Sequence, residues 1–98
     1  MKQIKFHHAA NTELLEAIHY YQGVSPGLAA LFVAKVNSAL QLIYDNPEAF
    51  QRVDLDLRQI PLGKFPYSLF YALEQNIIRV VAVAHHKRKP GYWKNRQS

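Results

Sequence analysis

Ten side chains carry most of the chemistry this 98-residue chain has to offer: Arg58, Lys64, Arg79, His85, His86, Lys87, Arg88, Tyr92, Trp93 and Arg96. Seven of the ten fall between positions 85 and 96. Guanidinium and ammonium groups hold phosphates or carboxylates, and aromatic rings stack on bases. The set therefore suits gripping an acidic peptide, holding nucleic acid, or metal-free cleavage of RNA. Cleavage needs a base for the ribose 2′-hydroxyl, cations for the phosphorane charge and an acid for the leaving oxygen. In that scheme His85 or His86 would be base or acid, Arg88 and Lys64 the charge clamps, and Tyr92 a donor or stacker. Packing competes with these roles. The aromatics of residues 65–73 suit a core, and Trp93 suits a lid on a sheet edge.

Other chemistries are excluded or poorly served. There is no cysteine, so disulfides, thiol nucleophiles, thiolate metal sites and iron–sulfur clusters are out. His7-His8 and His85-His86 would meet only if the first and last strands were neighbours. Adjacent strand residues point to opposite faces, so one imidazole of each pair at most would serve a metal. No metal site and no cofactor is implied. Ser25, Ser38 and Ser68 would need a positioned base to act as nucleophiles, and Ser25 is better explained as a helix cap. Glu13, Glu16, Glu48, Asp54, Asp56 and Glu74 form no acid–base pair, Asp54 and Asp56 falling in an apparent loop. Four glycines leave no phosphate-cradling loop.

Charge is divided unevenly. Twelve basic against seven acidic residues give a net +5. All seven acids lie before residue 75, with six of the bases. Arg79, Lys87, Arg88, Lys89, Lys94 and Arg96 follow with no acid among them. A cationic end on a near-neutral body points to a negative partner, against the plainer alternative of a solubilising tail. Pro90, Tyr92 and Trp93 interleave the charges, which a merely solvated tail does not require.

The elements that must position this end are legible in outline. Hydrophobic residues make up 49% and charged residues 19%, a globular composition with room for one domain, residues 1–98. The longest apolar run, Leu28 to Ala34, is too short to span a bilayer, and the start carries no secretory pattern, so a cytoplasmic protein without a membrane partner is expected. Ile4 and Phe6 suggest a short first strand. Asn11 and Thr12 are cap-type residues, Glu13 suits the positive end of a helix, and Leu14, Leu15, Ile18 and Tyr21 give the helical stripe up to Gly23. Ser25-Pro26 opens a second helix with Leu28, Leu31, Phe32, Val36, Leu40 and Ile43 on its stripe and Asn46-Pro47 at its end. The short link predicts an antiparallel helix hairpin.

Beyond Pro47 the period becomes two. Gln59 to Leu62 is a short strand whose proline marks an edge or bulge. Phe65, Tyr67, Leu69, Tyr71 and Leu73 share one face of the next strand, with Phe70 and Ala72 opposite. Glu74 to Asn76 makes a hairpin turn. Strict alternation through 77–86 puts Ile78, Val80, Ala82 and Ala84 on one face and Ile77, Arg79, Val81 and Val83 on the other. This strand is apolar almost throughout, so it is expected inside the sheet with both faces covered. The expected class is α+β: a short N-terminal strand, a two-helix antiparallel hairpin, then an antiparallel meander with a short basic tail.

The run Arg58-Gln-Ile-Pro-Leu-Gly-Lys-Phe-Pro-Tyr-Ser-Leu-Phe-Tyr resembles the middle strands of the RelE/ParE toxins of type II toxin–antitoxin modules. The ending His85-His-Lys-Arg88-Lys-Pro90-Gly-Tyr-Trp93-Lys-Asn-Arg96 resembles the His-x-x-Arg-x-Pro-x-x-Trp-x-x-Arg ending of the ParE-like, plasmid-stabilisation branch. The likeness covers essentially the whole chain. It implies a small toxin neutralised by a cognate antitoxin through an acidic or amphipathic segment.

Two targets follow from the resemblance. RelE-like members cut messenger RNA on the ribosome, and ParE-like members block DNA gyrase. Ser68 stands where RelE-like members carry a phosphate-holding arginine, and His86 replaces another, so the resemblance favours gyrase. On that reading Arg58, Lys64, Arg79, Lys87, Arg88, Trp93 and Arg96 bind the target. On the nuclease reading His85, His86, Arg88 and Tyr92 are catalytic. A plain nucleic-acid-binding module is the third reading of the basic end.

Overall fold

The computed structural model describes residues 2–54 and 56–96. In order they form β1 (Gln3–Phe6), α1 (His8–Val24), α2 (Pro26–Asp45), β2 (Gln51–Asp54), β3 (Leu57–Pro61), β4 (Tyr67–Leu73) and β5 (Ile77–His85). The five strands make one sheet in the order β1-β5-β4-β3-β2. From β2 to β5 it is the expected antiparallel meander. β1 adds to the exposed edge of β5 in parallel, Gln3 opposite Ile77 and Phe6 opposite Val80, so the complete sheet is mixed. The α1–α2 hairpin covers one face and the tail folds over the other.

Local chemistry explains most boundaries. Ser25 alone joins the helices. Its N–H donates to Tyr21 O, closing α1, while its Oγ accepts from Leu28 N at 3.1 Å and starts α2 ahead of Pro26. The start of α1 differs from expectation. His7 is the N-cap, its Nδ1 accepting from Ala9 N at 3.0 Å, so Asn11 and Thr12 lie inside the helix. Thr12 Oγ1 donates back to His8 O, which removes it from capping. The earlier start lets His7 N continue the ladder to Val80 O and lets Ala10 enter the core fully buried.

The helix faces are rotated slightly from the stripes drawn on sequence. Ala10, Ala17 and Tyr21 are buried on α1, and Ala29, Phe32, Val36, Ala39 and Ile43 on α2. Four of these eight buried residues are alanines, and Leu15 and Leu31 are left 57% and 63% exposed. By length and apolarity α2 alone would pass for a membrane span. Here Ala29, Phe32, Val36, Ala39 and Ile43 serve the core while Leu31 and Leu42 stay exposed; Phe32 is fully buried, within 5.1–5.4 Å (ring centroids) of Tyr21, Phe65 and Tyr67.

Tyr71 spans the core's far end, its hydroxyl donating to Pro47 O at 2.7 Å and tying the end of α2 to β4. Tyr71→Phe leaves that carbonyl unpaired in a buried setting. We expect a loss of about 1–3 kcal/mol in urea unfolding, with an unchanged dependence on denaturant.

Two strands depart from the alternation expected of them. β5 slips between Phe70 and Tyr71 of its partner: Phe70 pairs with Ala82 but Tyr71 with Val80, leaving Val81 as a bulge. The phase reverses there. Ile78, Val80 and Val83 face the helices, while Val81, Ala82 and Ala84 join Phe70 on the opposite face. β5 lies inside the sheet with both faces buried, as its composition requires. β2 has no apolar alternation because it is an edge strand exposed along its whole length, and Asp54 belongs to it rather than to a loop. Pro61 ends β3 beyond Gln59, the last residue paired with β2, where a missing N–H is harmless.

Candidate functional site

Residues 86–96 fold as successive turns across the sheet face away from the helices. His86 N donates to Pro66 O, and Arg88, Tyr92, Lys94 and Arg96 each donate to the carbonyl three residues earlier. Gly91 adopts φ +81°, a left-handed conformation that side-chain-bearing residues resist. Trp93 stacks on Phe70 with ring centroids 3.9 Å apart, and Tyr92 packs beside it over Val81, Ala82 and Ala84. Trp93 is therefore a lid, but on the face of the interior strands β4 and β5 rather than on a sheet edge. The lid exists because the Val81 bulge turns three small apolar side chains outward, where water must be excluded.

The far end of the tail is fastened by one carboxylate. Glu13 Oε1 accepts from Val83 N and Arg96 Nη1, both at 2.9 Å, and Oε2 accepts from Arg96 Nη2 at 3.0 Å and the Tyr92 hydroxyl at 2.6 Å. Arg96 Nη1 also donates to Val81 O at 3.0 Å. β1 stops at Phe6, so β5 beyond Val80 has no neighbouring strand on that side. Glu13 and Arg96 take the backbone groups left over, and the two side chains pair in a fork.

Burial alone would raise the Glu13 pKa. The donors Arg96, Tyr92 and Val83 outweigh it and hold the carboxyl below its ordinary 4.5. Burial and the Glu13 contact push the Tyr92 phenol above its usual range, so it keeps its proton. The hydrogen bond to Glu13 raises Arg96. A carboxylate with a depressed folded pKa stabilises the fold above its unfolded value and loses that contribution as pH falls through the folded one. We therefore expect acid unfolding below about pH 4.5 to include a step from Glu13, and Glu13→Gln to remove that pH dependence, followed by Trp93 fluorescence.

The ten sequence-marked residues divide. Arg58 donates through Nη1 to Glu48 O and Phe50 O and braces the loop before β2. Arg79 pairs with Glu74 at 3.2 Å. Lys64 sits on the β3–β4 turn beside a groove it shares with Lys35, apart from the depression lined by His86 and Arg88. His85 turns its ring edge-on to Tyr67, and its Nδ1 accepts from Lys87 N. His86 is the histidine on the tail-covered face: its Nε2 lies 2.9 Å from Ser68 Oγ, which also accepts from Gln59 Nε2 at 3.1 Å. His7 and His8 stack on one another at the start of α1.

Arg88 lies with Cζ 4.0 Å from the Tyr92 ring centre. Lys87, Arg88, Lys89 and Lys94 are exposed. Ser68, Gln59 and above all Glu13 were missed as partners of this end. Glu13 had one signal: it lies between buried Ala10 and Ala17 on the core-facing side of α1, an odd place for a charge.

The molecule shares its α+β architecture with a solved structure titled "Chromosomal ParDE TA system from P. aeruginosa", at TM-score 0.69 over 87% of this chain and 96% of that one, with 19% sequence identity. Fold and sequence together place the molecule in the RelE/ParE superfamily of toxins. Residues 4–90 match the family described as ParE toxin of type II toxin-antitoxin system, parDE, and the chain belongs to that family. No curated protein matches the sequence.

Proposed function

We propose that residues 1–98 act as a single cytoplasmic toxin domain that arrests growth by binding and inhibiting DNA gyrase, without cutting a bond. The observation that carries this reading is how the tail's functional groups are used. Tyr92 and Arg96 are committed to Glu13, whereas Lys87, Arg88, Lys89 and Lys94 project to solvent from a folded, Trp93-anchored segment. A phenol whose proton is held by a carboxylate is a poor general acid. Four cations on a fixed surface are well suited to recognising an acidic protein face. The test is supercoiling by purified gyrase with increasing toxin. Inhibition at near-stoichiometric toxin is expected, and full activity at large excess would refute the target.

A cognate antitoxin completes the proposal. Tyr21, Leu28, Leu31 and Phe65 line an apolar groove of about 750 Å³ with Lys35 and Lys64 on its walls, suited to an amphipathic segment bearing acids. Ribosome-dependent cleavage of messenger RNA is the second reading, favoured by the hydrogen bond between His86 and Ser68 in the depression that Arg88 also lines. It requires that His86→Ala abolish cleavage mapped by primer extension after induction. On the gyrase reading transcripts remain intact in both proteins.

A further inference from the structure

The stacking of Trp93 on Phe70 seats the middle of the tail, but its cations repel one another and its backbone bonds are single turns, so its two ends need attachments of their own. Two attachments flank the exposed cations. At the near end His86 donates its N–H to Pro66 O and contacts Ser68. At the far end Arg96 and Tyr92 converge on Glu13. Glu13 is contributed by α1 and accepts from Val83 N of β5, so it is tied to the core by a contact that does not involve the tail. Its side chain is only 12% exposed. The Tyr92 ring that Glu13 orients is also the surface on which Arg88 rests.

We propose that Glu13 is the positioning residue of the binding face: by clasping Arg96 and Tyr92 it sets the presentation of Arg88 and the neighbouring lysines, which it does not touch. The clasp makes a surface distant in sequence depend on the helix hairpin. The effect on target inhibition rests on the reading of the tail as the target-binding surface, whereas the clasp itself does not.

Trp93 is the sole tryptophan and stacks at the clasped end, so its fluorescence reports tail position. The experiment compares the full-length protein with Glu13→Gln, Arg96→Gln and the double variant. Glu13→Gln keeps an acceptor for Val83 N, and Arg96→Gln leaves α1 untouched, so at least one variant is expected to fold. Acrylamide quenching of Trp93 should rise severalfold in each while the far-ultraviolet circular dichroism stays native.

Gyrase inhibition should weaken about tenfold in each single variant, and the double variant should be no worse than either, since both changes open one contact. Unchanged quenching in both single variants overturns the clasp, whatever the target. Raised quenching with undiminished inhibition overturns the positioning role. A wild-type protein that leaves gyrase untouched refutes the target reading instead, and growth arrest on induction then replaces supercoiling as the activity compared across the same variants.

Discussion

Replacing Lys87, Arg88, Lys89 and Lys94 together with glutamine is expected to raise the toxin concentration needed for half-inhibition of gyrase by about 30- to 700-fold. The range follows from about 0.5–1 kcal/mol for each exposed charge facing a complementary surface, summed over four and converted at about 1.4 kcal/mol per decade. Folding should be nearly untouched, because none of the four is paired with an acid among the described residues. The small exception is Arg88, whose contact with the Tyr92 ring is worth about 0.5–1 kcal/mol at an exposed site. Wild-type inhibition should weaken as salt is raised, and the variant's residual inhibition should respond less.

The control is Lys35→Gln with Lys64→Gln, two charges on the helix-side groove. That pair should leave gyrase inhibition intact and weaken antitoxin binding measured by calorimetry. If both sets affect gyrase equally, net charge rather than the tail surface is responsible.

What could be recognised in the sequence was what is decided locally. Ser25-Pro26 marked the helix junction because capping and the fixed φ of proline act within a few residues. β4 was legible because its alternation runs unbroken from Tyr67 to Leu73 with one face against the helices. β5 was legible as a buried strand but not in phase, since the bulge at Val81 depends on its pairing with Tyr71 and Phe70 rather than on its own residues. β2 gave no signal because an edge strand with both faces in water has no periodicity to impose. His7 was an unforeseen cap, because histidine accepts at Nδ1 only in a suitable tautomer and rotamer.

The site shows the same division. Its cations and aromatics were countable from the start, and so was their concentration between 85 and 96. Which of them are free was not, because that depends on partners far away in the chain. Arg96 meets Glu13 across 83 positions and Tyr92 meets it across 79. Arg58 turns its Nη1 onto two backbone carbonyls, those of Glu48 and Phe50, in the loop after α2. Of the two histidines, strand register alone selects the one that faces Ser68, and the Val81 bulge shifts that register by one residue. The same irregularity therefore decides both the apolar seat for Trp93 and the exposure of His86 on that face.

Phe32→Ala carries the largest expected cost to the fold, about 3–5 kcal/mol. Phe32 is fully buried and stands at the centre of an aromatic group, with Tyr21, Phe65 and Tyr67 around it. These come from α1, the β3–β4 turn and β4, so no single element can move to fill the space. The cost is large against the total of about 5–15 kcal/mol typical of such domains. Chemical unfolding should show a lower midpoint with an unchanged slope.

The functional consequence follows from where the tail is anchored. Trp93 rests on Phe70, on the opposite face of β4, so its environment should remain native in the variant below the unfolding transition. Activity per folded molecule should therefore hold while the folded fraction falls. The helix-side groove shares Tyr21 and Phe65 with this aromatic group, so antitoxin binding should weaken beyond what the lost folded fraction explains. Trp93 emission that shifts together with the core at low denaturant would show instead that the two faces of the sheet are one cooperative unit, and that the tail surface depends on the helices through packing as well as through Glu13.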